Sequence, residues 1–205
     1  MLRRYLSRLR YLAVDLLHGS AFSVPHANSV EQLVQATWQD ATCNRALDLG
    51  CGKTPKNPFG ARELHGVDVD YGVSAEARIV PCDLGIEPLP YEDASFDAVS
   101  AFDLIEHIPR LIYLGSERRY PFIQLMNEIY RVLKPGGLFL SHTPAWPRGS
   151  AFVDPTHVNI ITTQTFSMYF CAPHGWASRY GFVGSFRLRQ QAWCGENLVS
   201  ILRKN

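Results

Sequence analysis

Short apolar segments alternate with turn-forming segments through the middle of the chain, a pattern typical of a parallel α/β sheet. The pattern predicts five strands, over residues 44–49, 62–68, 77–82, 96–102 and 137–142. The connections are long enough for parallel crossovers. Pro55, Pro58 and Gly60 fall in the connection after the first strand, so its helix is expected to be abbreviated or irregular.

The clearest helix is predicted over residues 121–133, where apolar residues recur every three or four positions. Pro121 suits its first turn. The segment Lys134–Gly137 reads Lys-Pro-Gly-Gly, which is expected to end this helix and start the fifth strand. A second helix is predicted to begin after Asn28 or Ser29 and to run to about Gln39, since Ser29 and Gln32 have the spacing of a capping box.

The two ends of the chain carry further elements. Residues 2–17 have leucines at helical spacing with arginines between them, which predicts an amphipathic helix that packs as a lid or contacts an anionic membrane surface. After the fifth strand we expect a long loop over 143–161 and a helix near 163–171, capped by Thr162 or Thr163. Two strands over about 182–193 and 197–203 would close the chain, with a turn at Cys194–Glu196 between them.

Composition and charge narrow the class of protein. The chain has 205 residues, of which 46% are hydrophobic, and a net charge of +1. This balance gives no general attraction to nucleic acid. Five widely spaced cysteines without a CxxC pair favour reduced thiols and a cytoplasmic setting. We see no apolar run of roughly 18 residues, and Arg8 and Arg10 interrupt any apolar region of a signal peptide.

A glycine turn directly follows the first predicted strand. Gly50 and Gly52 lie in the sequence Asp48-Leu49-Gly50-Cys51-Gly52, and the second strand ends twenty residues after Asp48, at Asp68. Glycines after one strand and an acidic residue at the end of the next are what a nucleotide-type site in a doubly wound sheet needs. Alone, a Gly-x-Gly turn is weak evidence.

Several segments, in this order, resemble the class I S-adenosylmethionine-dependent methyltransferases, in the subgroup with a generic small-molecule-type methyltransferase domain. These are Asp48–Gly52, Gly66–Asp70, Cys82–Leu84, Ser95–Val99, Glu106–Ile108 and Arg131–Gly137. The resemblance implies an α/β fold with a doubly wound, Rossmann-like, seven-stranded sheet that is mostly parallel, an antiparallel C-terminal hairpin and N-terminal helices. The chain departs from the family at Lys53–Pro55, where a third glycine is common.

The resemblance implies a single domain over residues 1–205, with a helical lid (1–40), a cofactor-binding core (43–142), and a substrate loop with the C-terminal hairpin (143–205). The implied cofactor is S-adenosyl-L-methionine. Its implied contacts are Asp48, Gly50, Cys51, Gly52, Asp68, Val69, Asp83, Leu84, Phe102, Asp103 and His107. Asp68 would hold the ribose hydroxyls and Asp83 the adenine amino group, whereas Asp48 would order the loop or hold the α-amino group. Phe102 is equally compatible with core packing.

Methyl transfer needs the nucleophile in line with the methyl group, and an oxygen or amine nucleophile can also need a base. The candidate catalytic residues are His157, Asp154 and His142, and His107 is a weaker candidate. The sequence favours Asp154 and His157, because an aspartate near a histidine can orient it, although the same residues could simply form a loop turn. His142, Asp154 and His157 match no metal-ligand spacing, so no metal site is expected.

The sequence leaves the acceptor open. The aromatic and polar residues that follow the fifth strand favour O-methylation of a small molecule or glycan. Nucleic acid is an unlikely partner, because Phe102–Ile105 lacks the Asn/Asp-Pro-Pro-aromatic segment of base methyltransferases. The alternatives are a lipid-type substrate, suggested by a peripheral membrane contact through residues 2–17, and a non-catalytic cofactor-binding or scaffold protein. The oligomeric state is not determined by the sequence.

Overall fold

The computed structural model describes residues 24–38, 42–69 and 78–205. The helix predicted over residues 2–17 lies outside these residues, and so does its membrane contact. Within the described ranges, no helix is both long enough and apolar enough to cross a lipid bilayer. The proposed division into lid, core and C-terminal part stays a prediction.

Seven strands form one sheet, and two more form a small hairpin. In chain order the strands are Arg45–Leu49 (β1), Glu63–Asp68 (β2), Ile79–Pro81 (β3), Phe96–Phe102 (β4), Ile112–Leu114 (β5), Glu117–Arg119 (β6), Leu133–Pro144 (β7), Phe186–Cys194 (β8) and Asn197–Lys204 (β9). The sheet order is β3-β2-β1-β4-β7-β9-β8, and β9 alone runs opposite to the other six strands of this sheet. The predicted mostly parallel sheet with a reversed C-terminal hairpin is confirmed.

Four α-helices lie in the described part of the chain: Val30–Thr37 (α1), Pro121–Val132 (α2), Ser150–Val153 (α3) and Thr165–Tyr169 (α4). The Gln32 N–H donates to Ser29 Oγ at 3.2 Å, so Ser29 is the N-cap of α1. Helix α2 begins at Pro121 as predicted and buries its apolar stripe. Two short 3-10 helices, Ile105–His107 and Trp176–Tyr180, were not predicted.

The sheet is covered on both faces, which explains why β1 and β4 are mostly buried. On one face, Val99 and Ala101 belong to the main core cluster with the stripe of α2 and the buried Phe166. On the other face, Leu33 and Val34 of α1 belong to a second cluster, with residues of β7, β8 and β9. The carboxyl ends of β1 and β4, where the strand order reverses, stay available for a ligand.

Some predicted boundaries were wrong. Strand β7 begins at Leu133, directly after α2, because the Lys-Pro-Gly-Gly segment ends the helix while its first residues already continue the strand. Helix α4 is shorter than predicted, and its N-cap is Gln164 rather than Thr162 or Thr163. Cys194 lies in β8, so the hairpin turn is shorter and contains Gly195 with φ +65°.

The connection from β1 to β2 contains no helix over residues 50–62. Pro55 and Pro58 lack the N–H that a helix needs. The Lys56 N–H donates instead to the Asp48 side chain at 2.7 Å. The irregular path predicted for this connection is therefore confirmed, and the hydrogen bond from Lys56 accounts for it.

Candidate active site

The glycine turn after β1 brings the backbone close to the end of β4. Gly50 and Gly52 have φ values of +63° and +58°, in the left-handed region that favours glycine. A Cβ atom on Gly50 would lie 2.8 Å from Leu104 Cδ1. Both conformation and space therefore require glycine at position 50, and the turn presents bare backbone at the strand ends.

Asp48 holds this turn in place from inside the sheet. Its side chain is 1% exposed, and it accepts hydrogen bonds from Ser100 Oγ and from the Lys56 N–H, each at 2.7 Å. The sequence left two roles open for Asp48, to order the loop or to hold the α-amino group of the cofactor. These hydrogen bonds order the loop. Burial raises the pKa of Asp48 to about 6, although the hydrogen bonds from Lys56 and Ser100 oppose the shift.

We expect the stability of the wild type to depend on the ionisation of Asp48 between about pH 5 and 7.5, and an Asp48→Asn variant to lack this dependence. Because the pKa of Asp48 rises from 3.8 to about 6 on folding, ionised Asp48 opposes folding above that pH, and protonation relieves the penalty as the pH falls. Lowering the pH from about 7.5 to about 5 should stabilise the wild type by about 1.4 kcal/mol relative to the variant. Urea unfolding of both proteins at the two pH values measures this difference, and an identical pH response in both would contradict it.

Carboxylates also follow the next two strands. Asp68, at the end of β2, accepts the Gly52 N–H at 2.9 Å, which ties this strand end to the glycine turn. Asp83, beyond β3, accepts the Gly85 N–H at 2.9 Å. Val69, which follows Asp68, is 59% exposed, whereas the side chain of Leu84, which follows Asp83, is buried in the main core.

Cys51 is half-buried and packs against β2. Its N–H donates to Val67 O at 3.2 Å, and a Cβ atom on Gly66 would lie 2.5 Å from Cys51 Sγ. Burial and the nearby charges of Asp48 and Asp68 raise the pKa of the Cys51 thiol to about 12. The thiol therefore stays neutral and is not a nucleophile.

A polar group of Asp103, His142 and Asn197 lies at the carboxyl ends of β4 and β7. His142 Nδ1 is 3.3 Å from Asp103 Oδ1, and Asn197 Nδ2 lies 2.6 Å from Asp103 Oδ1 and 3.1 Å from His142 Nδ1. The His142 ring also contacts Phe102, whose other neighbour is Lys56 Nζ, 4.5 Å from the ring centroid. This arrangement links His142 to the loop of the glycine turn.

Asp103 has an unusual backbone and an ionised side chain. Its φ is +50°, which aspartate tolerates better than most residues, and its N–H donates to His142 O at 2.8 Å. Partial burial alone would raise the pKa of Asp103, but the hydrogen bonds from His142 and Asn197 and the charges of His142 and Lys56 lower it overall. An ionised Asp103 can therefore orient the His142 ring.

His107, Asp154 and His157 form a second polar group, together with Thr156. Asp154 Oδ2 is 3.9 Å from His157 Nε2, while Asp154 Oδ1 accepts hydrogen bonds from the N–H and Oγ1 of Thr156. Thr156 Oγ1 in turn lies 3.0 Å from His107 Nδ1, and the two imidazole rings are 4.9 Å apart. His107, expected at the cofactor, thus contacts the loop that follows β7.

Glu106 completes this second group and was not among the predicted site residues. It is 1% exposed, its Oε2 accepts a hydrogen bond from Thr143 Oγ1 at 2.7 Å, and its Oε1 has no hydrogen-bond partner. Burial raises the pKa of Glu106. The available signal in the sequence was a carboxylate next to His107 and between the apolar residues Ile105 and Ile108.

The three predicted catalytic residues do not form one group. His142 and Thr143 are consecutive in β7, so their side chains point to opposite faces of the sheet. His142 joins Asp103, and Thr143 joins the group of Glu106 and His157. The sequence analysis missed Asn197, a member of the first group, and Lys56, which lies over the Phe102 ring beside it, because both are distant in sequence and carry no motif.

A pocket of about 280 Å³ adjoins the second group. Its lining is Arg110, Leu111, Tyr120, Phe122, Ile123, Asn159, Thr165, Tyr169, Phe170 and Tyr180. Asn159 connects the pocket to the group, because its N–H donates to Glu106 O at 2.9 Å and its Nδ2 to Ile105 O at 3.0 Å. Half of these residues are aromatic, which suits an apolar ring ligand.

Comparison with known proteins agrees with this geometry. Residues 47–141 match the family model described as a methyltransferase domain. The described sheet has the strand order of that fold. The segment is a class I S-adenosylmethionine-dependent methyltransferase domain.

Two curated relatives and one solved structure are similar to this chain. A protein described as a probable S-adenosylmethionine-dependent methyltransferase from Mycolicibacterium smegmatis is 34% identical over 48% of this chain and 37% of its own length. The sterol 4-C-methyltransferase of Caenorhabditis elegans is 32% identical over 46% of this chain and 29% of its own. The chain thus spans about a third of the length of these relatives.

The solved structure is a Burkholderia thailandensis 1,6-didemethyltoxoflavin-N1-methyltransferase with bound 1,6-didemethyltoxoflavin and S-adenosylhomocysteine. It superposes on this chain with a TM-score of 0.53 at 16% identity, over 99% of this chain and 90% of its own. At this identity the likeness establishes the shared fold.

The residues of the methyltransferase domain fit its cofactor, S-adenosylmethionine. The cofactor carries no phosphate, and the glycine turn offers bare backbone rather than a cluster of cations. Asp68 at the end of β2 suits two neighbouring ribose hydroxyls, since a carboxylate has about four lone-pair directions and Gly52 uses one of them. Asp83 and the N–H of Leu84 follow the next strand, and their contact with the adenine stays a prediction.

Proposed function

We propose that the chain transfers the methyl group of S-adenosylmethionine to an oxygen atom of a small-molecule or glycan acceptor. The observation that carries the proposal is the pair formed by His142 and Asp103 at the carboxyl ends of β4 and β7, with 3.3 Å between Nδ1 and Oδ1. A hydroxyl acceptor must lose a proton as it is methylated, and a histidine held by a carboxylate is suited to take it.

The bound cofactor would supply a methyl group on a positively charged sulfur, which keeps the electron pair of the broken C–S bond. Gly50, Gly52 and Asp68 would hold the cofactor at the ends of β1 and β2. Asp103 would hold the proton on His142 Nδ1, which leaves Nε2 to accept the proton of the acceptor hydroxyl. Positioning supplies much of the rate in such a reaction.

His157 stays the alternative base that the sequence favoured. Its carboxylate partner is farther away, at 3.9 Å, and Asp154 Oδ1 is already occupied by Thr156. A shorter contact orients an imidazole better. For this reason we propose His142 ahead of His157.

A second candidate is an apolar, lipid-type acceptor. The aromatic lining of the 280 Å³ pocket supports it, and one curated relative is a sterol 4-C-methyltransferase. Such an acceptor would place its ring between Tyr120, Tyr169 and Tyr180. The polar group at His142 favours the oxygen acceptor as the first candidate.

Calorimetric titration with S-adenosylmethionine and S-adenosylhomocysteine tests the cofactor, and mass spectrometry of acceptor libraries tests the transfer. We expect binding of both compounds and a mass gain of one methylene unit in hydroxylated acceptors. Methylation of sterols alone would select the second candidate. Binding without any turnover would support the non-catalytic scaffold, and no binding at millimolar cofactor would overturn the proposal.

A further inference from the structure

Glu106, His107 and His157 offer one ligand atom each within 4.8 Å of one another. Two of the three come from the 3-10 helix Ile105–His107, which follows β4, and the third from the loop after β7. Two ligand atoms at about 2.1 Å from one cation lie at most about 4.2 Å apart, so a side-chain shift of less than about 1 Å would bring these atoms onto a shared ion. The three side chains are therefore almost in position to bind a single ion.

The hydrogen bonds around the three residues leave one atom of each for such an ion. Thr143 Oγ1 binds Glu106 Oε2 and Thr156 Oγ1 binds His107 Nδ1, which leaves Oε1 and Nε2. Asp154 lies on the Nε2 side of His157, which leaves Nδ1. Metal-binding histidines and carboxylates are commonly held by outer partners of this kind.

Two of these atoms are buried and unsatisfied. Glu106 Oε1 and His157 Nδ1 have no hydrogen-bond partner, and Glu106 is 1% exposed. Burying a polar atom without a partner costs free energy, so such atoms are rare in native proteins. A shared cation would satisfy both at once.

We propose that Glu106, His107 and His157 form a binding site for a divalent cation of the zinc or manganese class. Two imidazoles and one carboxylate suit these ions better than Mg²⁺ or Ca²⁺, which prefer oxygen ligands. Three protein ligands leave coordination positions open for oxygen atoms.

The cation site adjoins both the glycine turn and the aromatic pocket. Leu104, two residues before Glu106, is the side chain that closes on Gly50. Asn159, which lines the pocket, donates its N–H to Glu106 O. An acceptor oxygen could therefore bind the cation while the rest of the acceptor occupies the pocket. The site itself goes beyond the proposed methyl transfer, because cation binding needs neither cofactor nor acceptor.

Titration of the metal-free protein with Zn²⁺ by calorimetry, and with Mn²⁺ by electron paramagnetic resonance, tests the site. We expect one strongly bound ion per chain. Glu106→Gln and His157→Gln should each weaken binding at least about 100-fold, and Thr143→Val, which removes only an outer partner, about 10-fold. Glutamine keeps the bond to Thr143, and circular dichroism checks that each variant is folded.

His174→Gln is the matched control, since His174 is exposed and outside the three-residue group. Its affinity should equal that of the wild type. Bound Co²⁺ should give visible absorption bands that Glu106→Gln loses. No binding of Zn²⁺ or Mn²⁺ at millimolar concentration, or equal affinity in His157→Gln and His174→Gln, would overturn the cation site. Either result would leave cofactor binding, measured separately, untouched.

Discussion

Replacement of His142 by alanine is expected to lower kcat by about 10²- to 10⁴-fold, the usual contribution of a positioned acid or base. His142 is held by Asp103 at the ends of β4 and β7. Alanine removes the proton acceptor but keeps the strand. Affinity for S-adenosylmethionine should change by no more than about threefold, because the contacts proposed to hold the cofactor, at Gly50, Gly52 and Asp68, do not involve His142.

Steady-state kinetics with a hydroxylated acceptor, together with calorimetric titration of the cofactor, measures both quantities. Asp103→Asn should lower kcat less than His142→Ala, since it weakens the orientation of the ring but keeps the imidazole. His174→Ala serves as the control and should match the wild type. If His142→Ala retains full turnover while His157→Ala loses it, the base is His157, as the sequence favoured.

Replacement of Asp68 by alanine is expected to weaken S-adenosylmethionine binding by roughly 100-fold, or about 2.7 kcal/mol, because hydrogen bonds to a charged group contribute about 1.5–3 kcal/mol each. Alanine removes the proposed ribose contacts and also the anchor of the Gly52 N–H at 2.9 Å. Asp68→Asn should have a smaller effect, since an amide oxygen can still accept from Gly52.

Isothermal titration of the three proteins measures the ranking wild type, Asn, Ala. Glu117→Ala is a suitable control, because Glu117 lies on the exposed β5–β6 hairpin and pairs with Arg119. Thermal unfolding in the absence of cofactor separates loss of affinity from loss of the fold. Equal affinity of Asp68→Ala and wild type would exclude Asp68 from the cofactor site.

The sheet was predictable because its signals are local. Strands β1 and β4 are short segments that are mostly buried, β2 is partly buried, and turn residues bound all three. Ser29 and Pro121 marked helix starts by their own chemistry, as N-cap and first-turn residue. Boundaries such as that of α4 were less predictable, because the side chains that end a short helix come from tertiary packing.

The positions of the predicted cofactor residues at one edge of the sheet were likewise predictable, because each lies at or next to the end of a strand. Parallel strands bring their carboxyl ends to one edge of a sheet, so Asp48, Gly50 and Asp68 had to meet once the strands were correctly placed. The hydrogen bond from Gly52 to Asp68 is a direct consequence. The sequence left the role of Asp48 open, because its hydrogen bond from Ser100 comes from a neighbouring strand that is distant in sequence.

By itself, then, the sequence determined the fold class and the position of the glycine turn, since alternation, turn chemistry and strand-end residues are written in short stretches of chain. The tertiary structure decided which polar groups meet. It separated His142 from His157, paired His142 with Asp103 and Asn197, and joined His157 to Glu106 and His107. These contacts depend on which face of β7 each residue occupies and on the path of a long loop. Neither is fixed by residues that are close in sequence.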